Sequence, residues 1–76
     1  MNKKQFMLAK AKDEWENSDE FTRDGILTEL RYSLKWSDSK FEELPASCRS
    51  RIASFVEYTL GYGDDWKEIQ EQKTIA

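Results

Sequence analysis

A chain of 76 residues with 38% hydrophobic and 36% charged positions is at most one domain, too apolar for disorder and too polar for a membrane span. Its single cysteine, Cys48, excludes an intrachain disulfide, and the absence of histidine removes the usual general base and the commonest zinc ligand. The net charge of −3 repels a phosphate backbone on average, so direct contact with nucleic acid is not the first expectation.

No run approaches the roughly 18 apolar residues of a spanning helix, and the first residues, MNKKQFMLAKAKDEWEN, lack the apolar core of a signal peptide. A cytoplasmic protein without membrane contact is expected.

Asn2 and Gln5 have capping-box spacing, and Met7, Leu8, Ala11 and Trp15 then fall on one stripe, which predicts a first helix over 3–16. Its lysines lie near the start and its acids near the end, against the helix dipole. Packing must therefore hold it, through Trp15 above all. Asn17 and Glu20 repeat the capping-box spacing and open a second predicted helix over 20–36.

That second helix has two apolar sides at about 100° per residue. Ile26, Leu27, Leu30 and Leu34 form an aliphatic stripe, and Phe21, Gly25, Tyr32 and Trp36 fall on the far side. A helix of that kind sits between two neighbours, or between one neighbour and a partner. Gly25 in its interior costs about 1 kcal/mol relative to alanine and suggests close approach of another backbone.

Ser37-Asp38-Ser39 reads as a polar connector, followed by a short helical turn over 40–44 that carries Phe41. Leu44-Pro45 opens the third main helix, 45–60, with proline well placed at a first helical position. Cys48, Ile52, Phe55, Val56, Thr59 and Leu60 make its broad apolar face, so a small buried thiol is expected at Cys48. Gly61 or Gly63 supplies the left-handed cap that ends it. Asp65 and Glu68, with Asp64 beside them, predict a short terminal helix over 65–72 that folds Trp66 and Ile69 back onto the core, with 70–76 frayed. With no alternating stretch long enough for a strand, the expected fold is all-α: a single domain, 1–76, of three main helices and two short helical turns.

No nucleophile–base set, phosphate-cradling glycine loop or metal cluster is recognisable, so no enzyme, cofactor or metal is expected. Adjacent acids such as Asp64/Asp65 and Glu42/Glu43 lack the alternate-residue spacing and turn glycine of a calcium loop. The segment Leu44-Pro45, Ile52 and Phe55-Val56-Glu57-Tyr58 resembles the Leu-Pro…Phe-Ile-Glu-Phe-Leu helix of small antitoxin-type proteins over 44–60. Ala46, Ser47 and Cys48 stand where that family has acidic residues. The resemblance implies an interaction protein of a bacterium or mobile element.

Ten aromatic residues are more than a three-helix core of this length can cover, and exposed aromatics and arginines are enriched at binding hot spots. The candidate partner-binding patch is Phe21, Tyr32 and Trp36, rimmed by Arg31 and Lys35. The structural alternative is that this stripe packs the N-terminal helix or the Trp66 turn; Tyr58 and Tyr62 are weaker candidates for partner binding. The expected function is a non-enzymatic acidic inhibitor or adaptor, of the kind bacteriophages and other mobile elements direct at host proteins, a nucleic-acid-handling complex among them. The alternative is a DNA-binding or antitoxin-like regulator that reads with Lys40, Arg49 and Arg51 around the 45–60 helix. A homodimer is a third possibility, because a doubly apolar helix can complete its core with a second copy.

Overall fold

Four α-helices and two 3₁₀ turns make up the molecule: α1 (Lys3–Asn17), α2 (Glu20–Glu29), 3₁₀ turns at Leu34–Asp38 and Phe41–Glu43, α3 (Ala46–Tyr58) and α4 (Tyr62–Ile75). The computed structural model describes residues 2–75, and side chains as far as residue 70. The all-α expectation holds, and no strand occurs among the described residues. No helix there is long and apolar enough to cross a membrane.

The capping box that opens α1 is formed as expected, with the Gln5 amide donating to Asn2 Oδ1 at 2.8 Å and the Asn2 amide to Gln5 Oε1 at 3.0 Å. The second expected box is not. Asn17 turns back to donate to the Asp13 carbonyl, and Asp19 caps α2 instead by accepting from the Thr22 amide at 2.8 Å. That hydrogen bond holds the Asp19 carboxyl below its ordinary value of 3.8. Its sign is the usual one for a cap: the stabilisation is present above the unfolded value and disappears as acid protonates the folded carboxylate.

The largest correction concerns the helix expected over 20–36. It stops at Glu29, because Arg31 adopts a left-handed backbone with φ 62°. The Tyr32 amide then donates to the Leu27 carbonyl at 2.8 Å and the Arg31 amide to the Thr28 carbonyl at 3.1 Å, the paired bonds of a Schellman cap. Glycine is the usual occupant of that position, and an L-residue there costs about 1–2 kcal/mol. Arg31→Gly is therefore expected to stabilise the protein by about 0.5–1 kcal/mol in urea titration, net of the extra freedom glycine gives the unfolded chain. Were residue 31 inside a continuous helix, the same change would destabilise by about 1 kcal/mol.

The segment read as a polar connector is wired into the core instead. Ser37 is buried within the first 3₁₀ turn, and its carbonyl accepts from Arg23, while the Ser39 carbonyl accepts from the Trp15 indole. Trp15 is fully buried with Ala11, Leu27, Cys48, Ile52 and Val56, and Phe6, Met7, Ile26, Phe41, Leu44 and Ala53 complete the core. Cys48 is a buried small hydrophobe, and desolvation raises its thiol pKa above the ordinary value. Glu16 accepts from the Phe41 amide at 2.9 Å, so the short turn carrying Phe41 starts on a carboxylate from α1.

Pro45 is the residue before α3 rather than its first helical residue, with φ −54° and ψ 146°. Gly61 takes the left-handed geometry after α3, with φ 82°, and α4 begins at once at Tyr62 rather than at Asp65. Asp64 and Asp65 thus occupy its first turn, where anions complement the dipole. Gly63 is the glycine at a close approach: a Cβ there would meet the Glu57 carbonyl at 3.3 Å and Glu57 Cγ at 3.1 Å.

The helix runs to Ile75, and Ala76, in the stretch expected to fray, lies outside the described residues. It runs antiparallel to α1. The Tyr62 hydroxyl donates to Glu14 Oε1 at 2.7 Å, and Trp66 meets Phe6 at 5.3 Å between ring centroids. The Lys10 ammonium lies 5.4 Å from the Phe6 ring and 5.3 Å from the Tyr62 ring. Donation to Glu14 raises the Tyr62 hydroxyl pKa above its usual value. The molecule measures 46 × 19 × 19 Å along its principal axes.

Candidate docking surface

The left-handed turn at Arg31 separates the residues expected to form one patch. Phe21 lies in the first turn of α2, whereas Tyr32 and Trp36 lie beyond its last, a helix of 10 residues away. Tyr32 is half-buried against the core, its hydroxyl donating to Ser47 Oγ at 3.0 Å. Trp36 is also half-buried, with the Lys35 ammonium 5.0 Å from its ring. Arg31 and Lys35 are exposed. These five side chains do not share a helix face.

Phe21 is left 87% exposed. It stands at the rim of a groove between α2 and the end of α3, lined by Phe21, Thr22, Gly25, Ile26, Glu29, Phe55 and Thr59 and enclosing about 460 Å³. Phe55 reaches this groove because the apolar face of α3 outlasts its cover: Cys48, Ile52 and Val56 are buried, Phe55 is half-buried, and Thr59 and Leu60 are exposed. The sequence places Phe55 on the broad apolar face of the 45–60 helix and nothing in it singles out Glu29. The signal that could have located the groove is this overrun of the α3 face past Val56.

Gly25 carries the same message from the opposite side. The expected close approach of another backbone is absent, since a Cβ at Gly25 meets nothing within 4 Å. Its φ is not left-handed either. Nothing within the molecule requires glycine there. Gly25→Ala is accordingly expected to raise stability by about 1 kcal/mol, seen as a higher urea midpoint at unchanged slope, while placing a methyl group in the groove.

The three cations considered for nucleic-acid reading do not form a row of free readers. Arg51 Nη1 donates to the Leu30 carbonyl at 3.2 Å, and its guanidinium lies 5.7 Å from the centre of the Tyr32 ring, so it caps the end of α2. Arg49 is half-buried on another flank of α3, and Lys40 is exposed at the start of the second 3₁₀ turn. Comparison with protein-family models, curated proteins and solved structures found no match for this chain. The groove beside Phe21 offers apolar contact surface with one carboxylate, Glu29, at its edge. Such a surface suits capture of a protein side chain.

Proposed function

We propose that this protein acts without catalysis, by seating the groove between α2 and α3 on the surface of another protein. A large aromatic ring held on a rigid helix, exposed at the rim of an apolar groove, carries this reading. Covering a phenylalanine side chain contributes about 1.5–3 kcal/mol, and aromatic anchors of this kind dominate binding energies. Small size and net negative charge suit an inhibitor or adaptor encoded by a bacteriophage or another mobile element and directed at a host protein. A nucleic-acid-handling complex, with its basic surfaces, is the host target that such a charge would favour.

The test is affinity capture from bacterial lysate with wild type and Phe21→Ala side by side. Because Phe21 is nearly free of contacts, the variant is expected to unfold within about 0.5 kcal/mol of wild type while retaining at least about tenfold less partner, a loss of some 1.4 kcal/mol. Equal capture by the two proteins would remove the proposal. So would a large loss of stability in Phe21→Ala, which would show the ring to be structural.

A further inference from the structure

A second groove lies on the opposite flank of α3, between that helix and α1, and its chemistry differs from that of the Phe21 groove. Lys3, Lys4, Met7 and Leu8 of α1 and Ser50, Ala53, Ser54 and Glu57 of α3 line about 420 Å³. It continues into a smaller recess of about 190 Å³ between Lys4, Leu8, Ala46, Arg49 and Ser50. At about 100° per residue, Ser50 and Ser54 face roughly 140° away from Phe55 and Thr59 around the α3 axis. The floor is apolar: Met7 and Ala53 are buried, and Leu8 is half-exposed above them.

The walls are cationic in a chain that is acidic overall. Lys3 is paired with Glu57 at 2.6 Å, which neutralises both. Lys4 has no carboxylate partner among the described residues, and neither has Arg49, whose Nε is buried without a hydrogen-bond acceptor. The Arg49 guanidinium has no carboxylate to balance it among the described residues, and an incoming carboxylate would pair with its charge. The two free cations line the recess together with Leu8. On the α3 side four of the six lining residues are small, Ala46, Ser50, Ala53 and Ser54, and between the longer Arg49 and Glu57 another helix can approach closely.

We infer that the α1–α3 groove binds an acidic amphipathic helix of a partner protein, its apolar side on Leu8 and Met7 and its carboxylates on Lys4 and Arg49. This surface is independent of the Phe21 groove, and occupation of both would make the protein a bridge between two partners.

Two synthetic helical peptides with the same leucines at i, i+4 and i+7, one flanked by glutamates and the other by lysines, test the inference by titration into isotope-labelled protein followed by NMR. The glutamate peptide is expected to shift the amide signals of Lys4, Leu8 and Ser50, to bind at least about tenfold more tightly than the lysine peptide, and to weaken with added salt. Lys4→Glu, at an exposed position that the fold does not use, should weaken it severalfold, and Lys4→Glu with Arg49→Glu should abolish it. Equal binding of the two peptides, shifts confined to Phe21, Gly25 and Phe55, or no shift at millimolar peptide would overturn the inference. A dimer in sedimentation that Leu8→Glu dissociates would overturn it too, by giving the groove to a second copy.

Discussion

Trp15→Ala is expected to leave the chain largely unfolded at room temperature. Truncating a fully buried indole costs about 3–5 kcal/mol, and a domain of this size has a total stability of roughly 4–11 kcal/mol at 0.05–0.15 kcal/mol per residue. Two further losses fall on the same side. The Ser39 carbonyl loses the indole N–H that donates to it at 2.8 Å, and the Arg23 guanidinium, 5.0 Å from the ring centre, loses the face it covers. Far-UV circular dichroism should show most of the helical signal gone or melting at low temperature. Trp15→Phe keeps much of the packing but cannot donate to Ser39, and should fall between the alanine variant and wild type. A Trp15→Ala protein as stable as wild type would refute this account of the core.

Arg23→Ala is expected to cost about 2–4 kcal/mol, unusually much for a charged residue on a helix of a small domain. The side chain ties three elements together. Its Nε donates to the Trp15 carbonyl at 2.9 Å, near the end of α1, and Nη1 to the Ser37 carbonyl at 3.0 Å, in the first 3₁₀ turn. Nη2 lies 3.9 Å from Glu16 Oε2, the residue whose other oxygen starts the Phe41 turn. With the side chain only 16% exposed, water replaces these contacts poorly. Arg23→Lys retains the charge but not the planar fork, and one ammonium cannot reach both carbonyls in the same geometry. It should recover less than half of the loss, as read from the urea midpoint at constant slope. Full recovery by lysine would show that charge, rather than the fork, holds these elements together.

These two residues also mark how far the sequence could be read. Trp15 was legible as the anchor of the first helix because the apolar stripe there is narrow and the helix opposes its own dipole. The Asn2–Gln5 box and the end of α3 at Gly61 are legible because each rests on neighbours within four residues, whereas the Phe41 turn also takes a hydrogen bond to Glu16, 25 residues away, that no local pattern marks. Arg23 is not legible, since its acceptors are backbone carbonyls up to 14 residues away and carbonyls leave no mark in a sequence.

The break at Arg31 was hidden for a related reason. Left-handed caps are found by glycine, and here an arginine occupies the position because the Tyr32 and Arg31 amides close onto α2 and the following turn delivers Ser37 and Ser39 to Arg23 and Trp15. A helical wheel with two accepted apolar sides also matched Leu34 and Trp36 without testing continuity. Leu34, expected with the buried leucines, is in fact 51% exposed. As for the candidate surface, Phe21 enters as one end of the far-side stripe of a helix that does not continue to Tyr32 and Trp36. Which aromatic stays outside is decided by how the helices cover one another, and that covering brings Phe55 and Gly25 to Phe21 in place of Tyr32 and Trp36.

A photo-crosslinking amino acid placed in turn at residues 21, 32 and 36 measures the functional claim most directly. Irradiation in a bacterial lysate is predicted to yield one discrete adduct from position 21, competed away by unlabelled wild type but not by Phe21→Ala, and little from positions 32 and 36. Adducts from 32 or 36 with none from 21 would contradict the account and place recognition on the side chains this fold packs against its own core.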